Sequence, residues 1–267
     1  MKFKKASKII AVMCMLLMAV TIFAGCGGEK KEKKDETLIA VTESTFPPFD
    51  TTDEKGNLVG FDMDLLDAIA KDQGFKVEYK SMEFDSLIPA IKSGNADIIA
   101  AGMTAEDPQR KKKVDFSDIY YDSAMVLMVK KDNETIKDMN SLTPEMVVAS
   151  QIGTTSGDMA QKWKEEGKIK DVKINNGFTE CVSELQNGDV DAVLIDEPVA
   201  KALVKKHADL KIVGEPLTSD GFGFAVAKGN KELLDKINKG LANIKKDGTY
   251  DKIYQKWFTD GAAGEQK

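Results

Sequence analysis

The sequence predicts an α/β protein of two lobes, each a mainly parallel sheet flanked by helices. Two observations predict it: short apolar runs alternate with amphipathic helical ones, and two stretches 94 residues apart match without a gap. Apolar runs at 38–41, 77–79 and 98–101 read as strands, and 62–71 and 86–92 as the helices between them. In the first helix Met63, Leu65, Leu66, Ile69 and Ala70 share one face, and Gly74 follows as a stop. The rhythm then repeats, with strands at 126–129, 146–149, 172–174, 192–195 and 211–213 and helices at 158–165, 180–186 and 199–206. A long amphipathic helix at 231–246 carries Leu233, Leu234, Ile237, Leu241 and Ile244 in register. Gly248 breaks it, and a shorter helix with Tyr250, Ile253, Tyr254 and Trp257 closes the fold.

The gap-free match sets IPAIKSGNADII (88–99) on VSELQNGDVDAV (182–193). In both, a helix ends at Gly94 or Gly188, an Asp turns the chain, and an apolar strand begins. That spacing is too long for a solenoid and suits two related lobes; a chance likeness between two helix, glycine, strand passages is the alternative. Extending the match puts Gly102 opposite Asp196, at the carboxyl ends of their strands, where open α/β sheets place ligands.

Residues 1–25 read as an export signal, because Lys2, Lys4, Lys5 and Lys8 precede an apolar run that is too short and wrongly flanked for a permanent span. Ile22-Phe23-Ala24-Gly25-Cys26 resembles a bacterial lipobox with Phe23 where Leu is usual, which implies a lipidated (palmitate-type) Cys26 as the new N-terminus. A plain secretory signal is the alternative. Residues 26–36, with the string GGEKKEKKDE, read as a solvated tether, and 261–267 as a tail. The chain is therefore expected outside the cell, lipid-anchored on the outer face of the cytoplasmic membrane. Losing the signal's four lysines takes the net charge from −6 to about −10, which argues against nucleic acid as a partner. Cys14 leaves with the signal, so Cys181 has no disulfide partner, and a single His, His207, makes neither a zinc site nor a His-based triad. No cofactor, metal or catalytic residue is expected.

The chain resembles a family, the amino-acid-binding lipoproteins of ABC importers, solute-binding family 3. The residues that carry the resemblance run in order along it: Phe46-Pro47-Pro48-Phe49, Gly60-Phe61-Asp62-Met63-Asp64, Gly102-Met103-Thr104 with Arg110 and Val114-Asp115-Phe116-Ser117, Gly153-Thr154-Thr155, 191–196, and Gly248-Thr249-Tyr250 with Lys256-Trp257-Phe258. The resemblance implies a type II periplasmic-binding-protein fold with two crossing hinge segments, at 118–125 and 217–222. One lobe would comprise 37–122 and 222–260, the other 123–221.

A free amino acid presents a carboxylate, an ammonium and a variable side chain. Arg110, with its two-pronged guanidinium, is the candidate for the carboxylate, helped by Thr104, the Gly102 backbone, and Thr154 and Thr155 before a helix N-terminus. The stretch Thr104 to Arg110 is one residue longer than the family's commonest form. Asp196 is the candidate for the ammonium, with a helix N-cap as its plainer role. Phe46 and Phe61 resemble the family's aromatic wall, though core packing is the commoner fate of such residues. Glu43 resembles the position where relatives that bind basic amino acids carry an acid, and Gln151 reaches the same region. A polar amino acid is the expected ligand, with a basic one, arginine or lysine, slightly favoured over glutamine or another polar amino acid. The chain is expected to be monomeric and to hand its ligand to a membrane permease. The rivals are a dehydratase of the cyclohexadienyl type on the same fold, with Glu43 as its only evident acid or base, and a ligand-sensing module.

Overall fold

The computed structural model describes residues 37–259. The elements run β1 (Thr37–Thr42), β2 (Thr51–Thr52), β3 (Leu58–Val59), α1 (Phe61–Gln73), β4 (Lys76–Ser81), α2 (Phe84–Lys92), β5 (Ile98–Ile99), α3 (Pro108–Lys111) and β6 (Val114–Phe116). They continue with β7 (Tyr121–Ser123), β8 (Met125–Lys130), a 3-10 turn (Met139–Ser141), β9 (Val147–Gln151), α4 (Thr155–Glu165), β10 (Asp171–Asn175), α5 (Phe178–Asn187) and β11 (Ala192–Asp196). The last are α6 (Glu197–Lys206), β12 (Leu210–Val213), β13 (Asp220–Phe222), β14 (Ala225–Ala227), α7 (Lys231–Lys246), α8 (Thr249–Tyr254) and a π-helical turn (Gln255–Thr259).

Two five-stranded sheets result, ordered β4-β1-β5-β14-β6 and β10-β9-β11-β8-β12. Each has three parallel strands at one side and antiparallel pairings at the other. The internal match has a physical cause here. Asp97 accepts a hydrogen bond from the Ile39 N–H of β1 at 2.8 Å, and Asp191 does the same for the Val147 N–H of β9 at 2.7 Å. In each sheet the Asp before the third strand ties down the start of its parallel neighbour.

Period-two alternation sorts the core. Leu38 and Ala40 of β1 face the helix α1, while Ile39 and Val41 face α2. In the second sheet Val126, Met128, Val193 and Ile195 join one core, and Met125, Leu127, Val129, Ala192 and Leu194 join the opposite one with Ala160 and Trp163 of α4. Helices α1 and α7 approach closely at Gly240, where a Cβ would stand 2.8 Å from Ile69 Cγ2. The two crossings pair with each other as an antiparallel ladder, Tyr121 opposite Phe222 and Ser123 opposite Asp220. The lobe limits expected at 122 and 222 fall inside that ladder.

Five helix starts lie one to three residues earlier than the apolar periodicity suggested, while α7 spans the expected 231–246. Thr154 caps α4 by accepting from the Gly157 N–H at 3.0 Å, and Pro198 occupies the first turn of α6. Strand β5 leaves its ladder after Ile99, and the chain turns at Gly102, whose φ is 51°.

Candidate functional site

Arg110 lies on α3, a single turn whose N-cap Asp107 accepts from the Arg110 N–H at 2.7 Å and whose first residue is Pro108. The helix turns Arg110 inward, leaving it 7% exposed. Its guanidinium donates to Thr104 O at 3.2 Å and, from the other lobe, Gly153 O at 3.0 Å, while its Cζ stands 5.4 Å above the Phe84 ring. Burial pulls its pKa down from the usual arginine range, opposed by Asp107, Asp196, Asp158 and Asp220. An arginine starts so high that it stays charged.

Thr104 reaches the second lobe, its hydroxyl 3.4 Å from that of Thr155. Thr154 is committed locally, donating to Gln151 O at 2.7 Å while capping α4. Thr155 opens α4, so the field of a helix N-terminus points at this side of Arg110. Gly102 can be nothing larger: a Cβ there would sit 2.5 Å from the Phe46 ring.

Asp196 ends β11 and stands at the N-cap of α6, yet its side chain makes no capping hydrogen bond. Its Oδ1 accepts instead from the Ser123 hydroxyl of β7 at 3.1 Å. Burial pushes its pKa up to about 7; Ser123 and Arg110 work against that rise, and Asp220 adds to it. Arg110 and Asp196 thus stand in each other's field from opposite lobes.

Glu43, 7% exposed, accepts from the Thr45 N–H at 3.0 Å and its hydroxyl at 2.9 Å. Burial raises its pKa, the Thr45 and Gln151 donors lower it, and Glu180 raises it again. Gln151, from the second lobe, also donates to Asn176 O at 2.8 Å. The rim closes through Thr45, whose hydroxyl oxygen accepts from the Phe178 N–H at 3.1 Å, and through Asn176, which donates to Glu83 at 2.9 Å. A cavity of about 680 Å³ opens beside Arg110, with Phe84, Asp107, Gly153 and Asp158 in its walls. Another, of about 300 Å³, lies against Glu43, Thr45, Glu83, Asn176 and Glu180.

Phe46 does stand between the lobes, its ring 5.8 Å from that of Phe178 in α5. Phe61, expected in the same wall, is a correction. It is fully buried among Phe49, Tyr120, Tyr121, Tyr250, Tyr254 and Phe258 in the core of the first lobe, because α1 packs on the sheet face turned towards the chain's C-terminal helices. The aromatic residue that meets Arg110 is Phe84, which the sequence reading missed along with Ser123 and Phe178. Glu83-Phe84-Asp85 repeats the Phe-Asp pair of Gly60-Phe61-Asp62 and was the available signal. Cys26 lies outside the described residues, as do the tether and the tail. Cys181 is buried, with its thiol pushed up to about 12 by burial. Among the described residues no group of three or more His, Cys, Asp or Glu could hold a metal ion, and no helix is long and apolar enough to cross a membrane.

Two α/β lobes on paired crossing strands, with a buried cation from one and a buried acid from the other, define a two-lobed protein built to close on a small ligand. The model of the bacterial extracellular solute-binding proteins, family 3, matches residues 38–260, and the chain belongs to that family. It is 36% identical over 225 residues to an arginine-binding periplasmic protein of Mannheimia haemolytica, covering 82% of this chain and 90% of that one. It is 50% identical to an ancestral arginine-binding protein solved with arginine, at a TM-score of 0.79, covering 83% and 98% of the two chains. An ancestral arginine-binding protein solved with glutamine is also 50% identical, at 0.78, covering 84% and 98%. The fold is the two-lobed periplasmic-binding-protein fold.

Proposed function

We propose that this protein is the extracytoplasmic substrate-binding component of an ABC importer and that it captures a free amino acid, arginine before glutamine. The reading rests above all on Arg110 and Asp196, opposite charges presented by different lobes. The ligand's carboxylate replaces the carbonyls that Arg110 now holds, its ammonium meets the Asp196 oxygen that Ser123 leaves free, and its side chain runs towards Glu43 and Gln151. An acid at that end, with Glu180 adding negative charge beside it, favours a cationic side chain over an amide. A ligand that touches both lobes binds the closed form better than the open one, so closure is a population shift, and the closed form is what the permease reads.

On this reading Cys26 carries the lipid that holds a monomeric protein at the outer face of the membrane, and the chain binds without turnover. A thermal-shift screen of the common amino acids on the protein beginning at Lys30 tests it. Arginine should give the largest rise in melting temperature, with glutamine behind it. Stabilisation by no amino acid refutes the substrate class, and conversion of a bound ligand, followed by mass spectrometry, refutes the non-enzymatic reading.

A further inference from the structure

Behind Gly102 lies a pair of acids that ligand capture does not use. Asp50 and Asp62 are both fully buried. The backbone forces them together: the Asp62 N–H donates to Phe49 O at 3.0 Å, and a Cβ on the intervening Gly60 would stand 1.9 Å from Phe49 O and 2.9 Å from Asp50 Cα. Asp62 Oδ2 is engaged twice, accepting from the Gly102 N–H and from the Tyr120 hydroxyl, both at 2.8 Å. Asp62 Oδ1, both oxygens of Asp50 and the Thr42 hydroxyl have no hydrogen-bond partner among the described residues. Thr42 stands near enough to Asp50 to favour its ionised form, though outside hydrogen-bond geometry.

Two ionised carboxylates side by side in an apolar interior repel each other and forfeit their hydration, whereas one proton removes a charge and turns one carboxylate oxygen into a donor to the other acid. We infer that Asp50 and Asp62 share a single proton, and that this acid pair is the positioning device that holds the Gly102 strand end, and with it the loop leading to Thr104 and Arg110. Burial, Asp62 and Glu43 all drive the Asp50 pKa well above the usual carboxylate range, and burial raises Asp62 to about 7. The titratable groups that face the pair are Glu43 just beyond β1, Tyr79 of β4 and Tyr120 beside β7. All are acids, so each charge they gain favours keeping the proton.

The consequence for stability has a definite sign. The folded chain keeps a proton that the unfolded chain releases near the ordinary aspartate value, so this contribution is whole below about pH 4 and is lost as pH rises through the raised pKa. Asp50→Asn supplies a fixed donor of the same shape. In thermal melts of the full chain, the wild-type folding constant should fall more steeply than that of Asp50→Asn, by about tenfold per pH unit between about pH 5 and pH 7. Equal slopes overturn the shared proton, and so does a slope set by sodium concentration at fixed ionic strength. If Asp50→Asn does not fold, the infrared spectrum of Asp196→Asn labelled with carboxyl-13C aspartate decides: a carboxylic-acid carbonyl band should persist at about pH 6.5, above the ordinary aspartate range, and its absence overturns the inference.

The positioning half rests on the amino-acid reading above. Asp62→Ala should weaken arginine binding at least about tenfold, whereas Asp62→Asn, whose carbonyl still accepts from Gly102, should recover most of it and Asp50→Asn should stay within about threefold. Wild-type affinity in Asp62→Ala overturns the positioning role. Failure of the wild type itself to bind arginine overturns the arginine reading and leaves the pH comparison standing.

Discussion

Replacing Arg110 with alanine tests the site at its most exacting point. The guanidinium is almost fully buried, donates at 3.2 Å and 3.0 Å to carbonyls of both lobes, and lies 5.4 Å from the Phe84 ring. Two hydrogen bonds from a charged donor contribute roughly 1.5–3 kcal/mol each, and a ligand carboxylate buried without its counter-charge carries a further desolvation cost. Part of that sum is recovered, since the mutant's cleft admits water. The net loss of arginine affinity should be about 2–5 kcal/mol, a rise in Kd of roughly 30-fold to several thousand-fold. Arg110→Lys, which keeps the charge and loses the fork, should fall between wild type and alanine. Titration calorimetry with arginine reads both, and melting curves without ligand check that the variants fold. An alanine variant that binds within threefold of wild type would refute the assignment of Arg110 to the carboxylate.

Two further outcomes follow from the other charges. Asp196 has a pKa of about 7, and a bound ammonium stabilises its ionised form, so arginine affinity should be level above pH 7 and fall by up to about tenfold per unit below it. Asp196→Asn should bind weakly with no such dependence; for ligand-free stability the sign reverses, because a raised pKa contributes below the unfolded value and loses that contribution as pH rises through 7. Glu43→Gln should cut the preference for arginine over glutamine by about 30-fold, or about 2 kcal/mol, by removing the acid that meets a cationic side chain. Competition calorimetry with the two amino acids measures that ratio, and an unchanged ratio refutes the role of Glu43.

The sequence carried most of the fold because its cues were local. Asp97 and Asp191 marked equivalent turns, and both pin the neighbouring strand. Helical faces such as Met63, Leu66 and Ile69 are set by residues one turn apart. The aromatic wall was harder. Phe61 and Phe84 both open helices in the same local pattern, and only the face of the sheet each helix covers separates them: β1 turns Leu38 and Ala40 towards α1, and Ile39 and Val41 towards α2. That choice is made by tertiary packing, which no short window contains. Arg110 raised the opposite problem, since its register in the loop is set only where Asp107 and Pro108 build a turn of helix around it.

The short ladder between β7 and β13 carries a cost for anyone who re-engineers this protein. Ser123 in one strand steadies Asp196, while Phe222 in the other packs on Phe46 and bridges to Thr104. Flexure and recognition therefore draw on the same few side chains, and a substitution there shifts the speed of opening together with ligand preference. A reporter that must leave selectivity untouched is better attached to a surface position remote from both the crossing strands and the cleft.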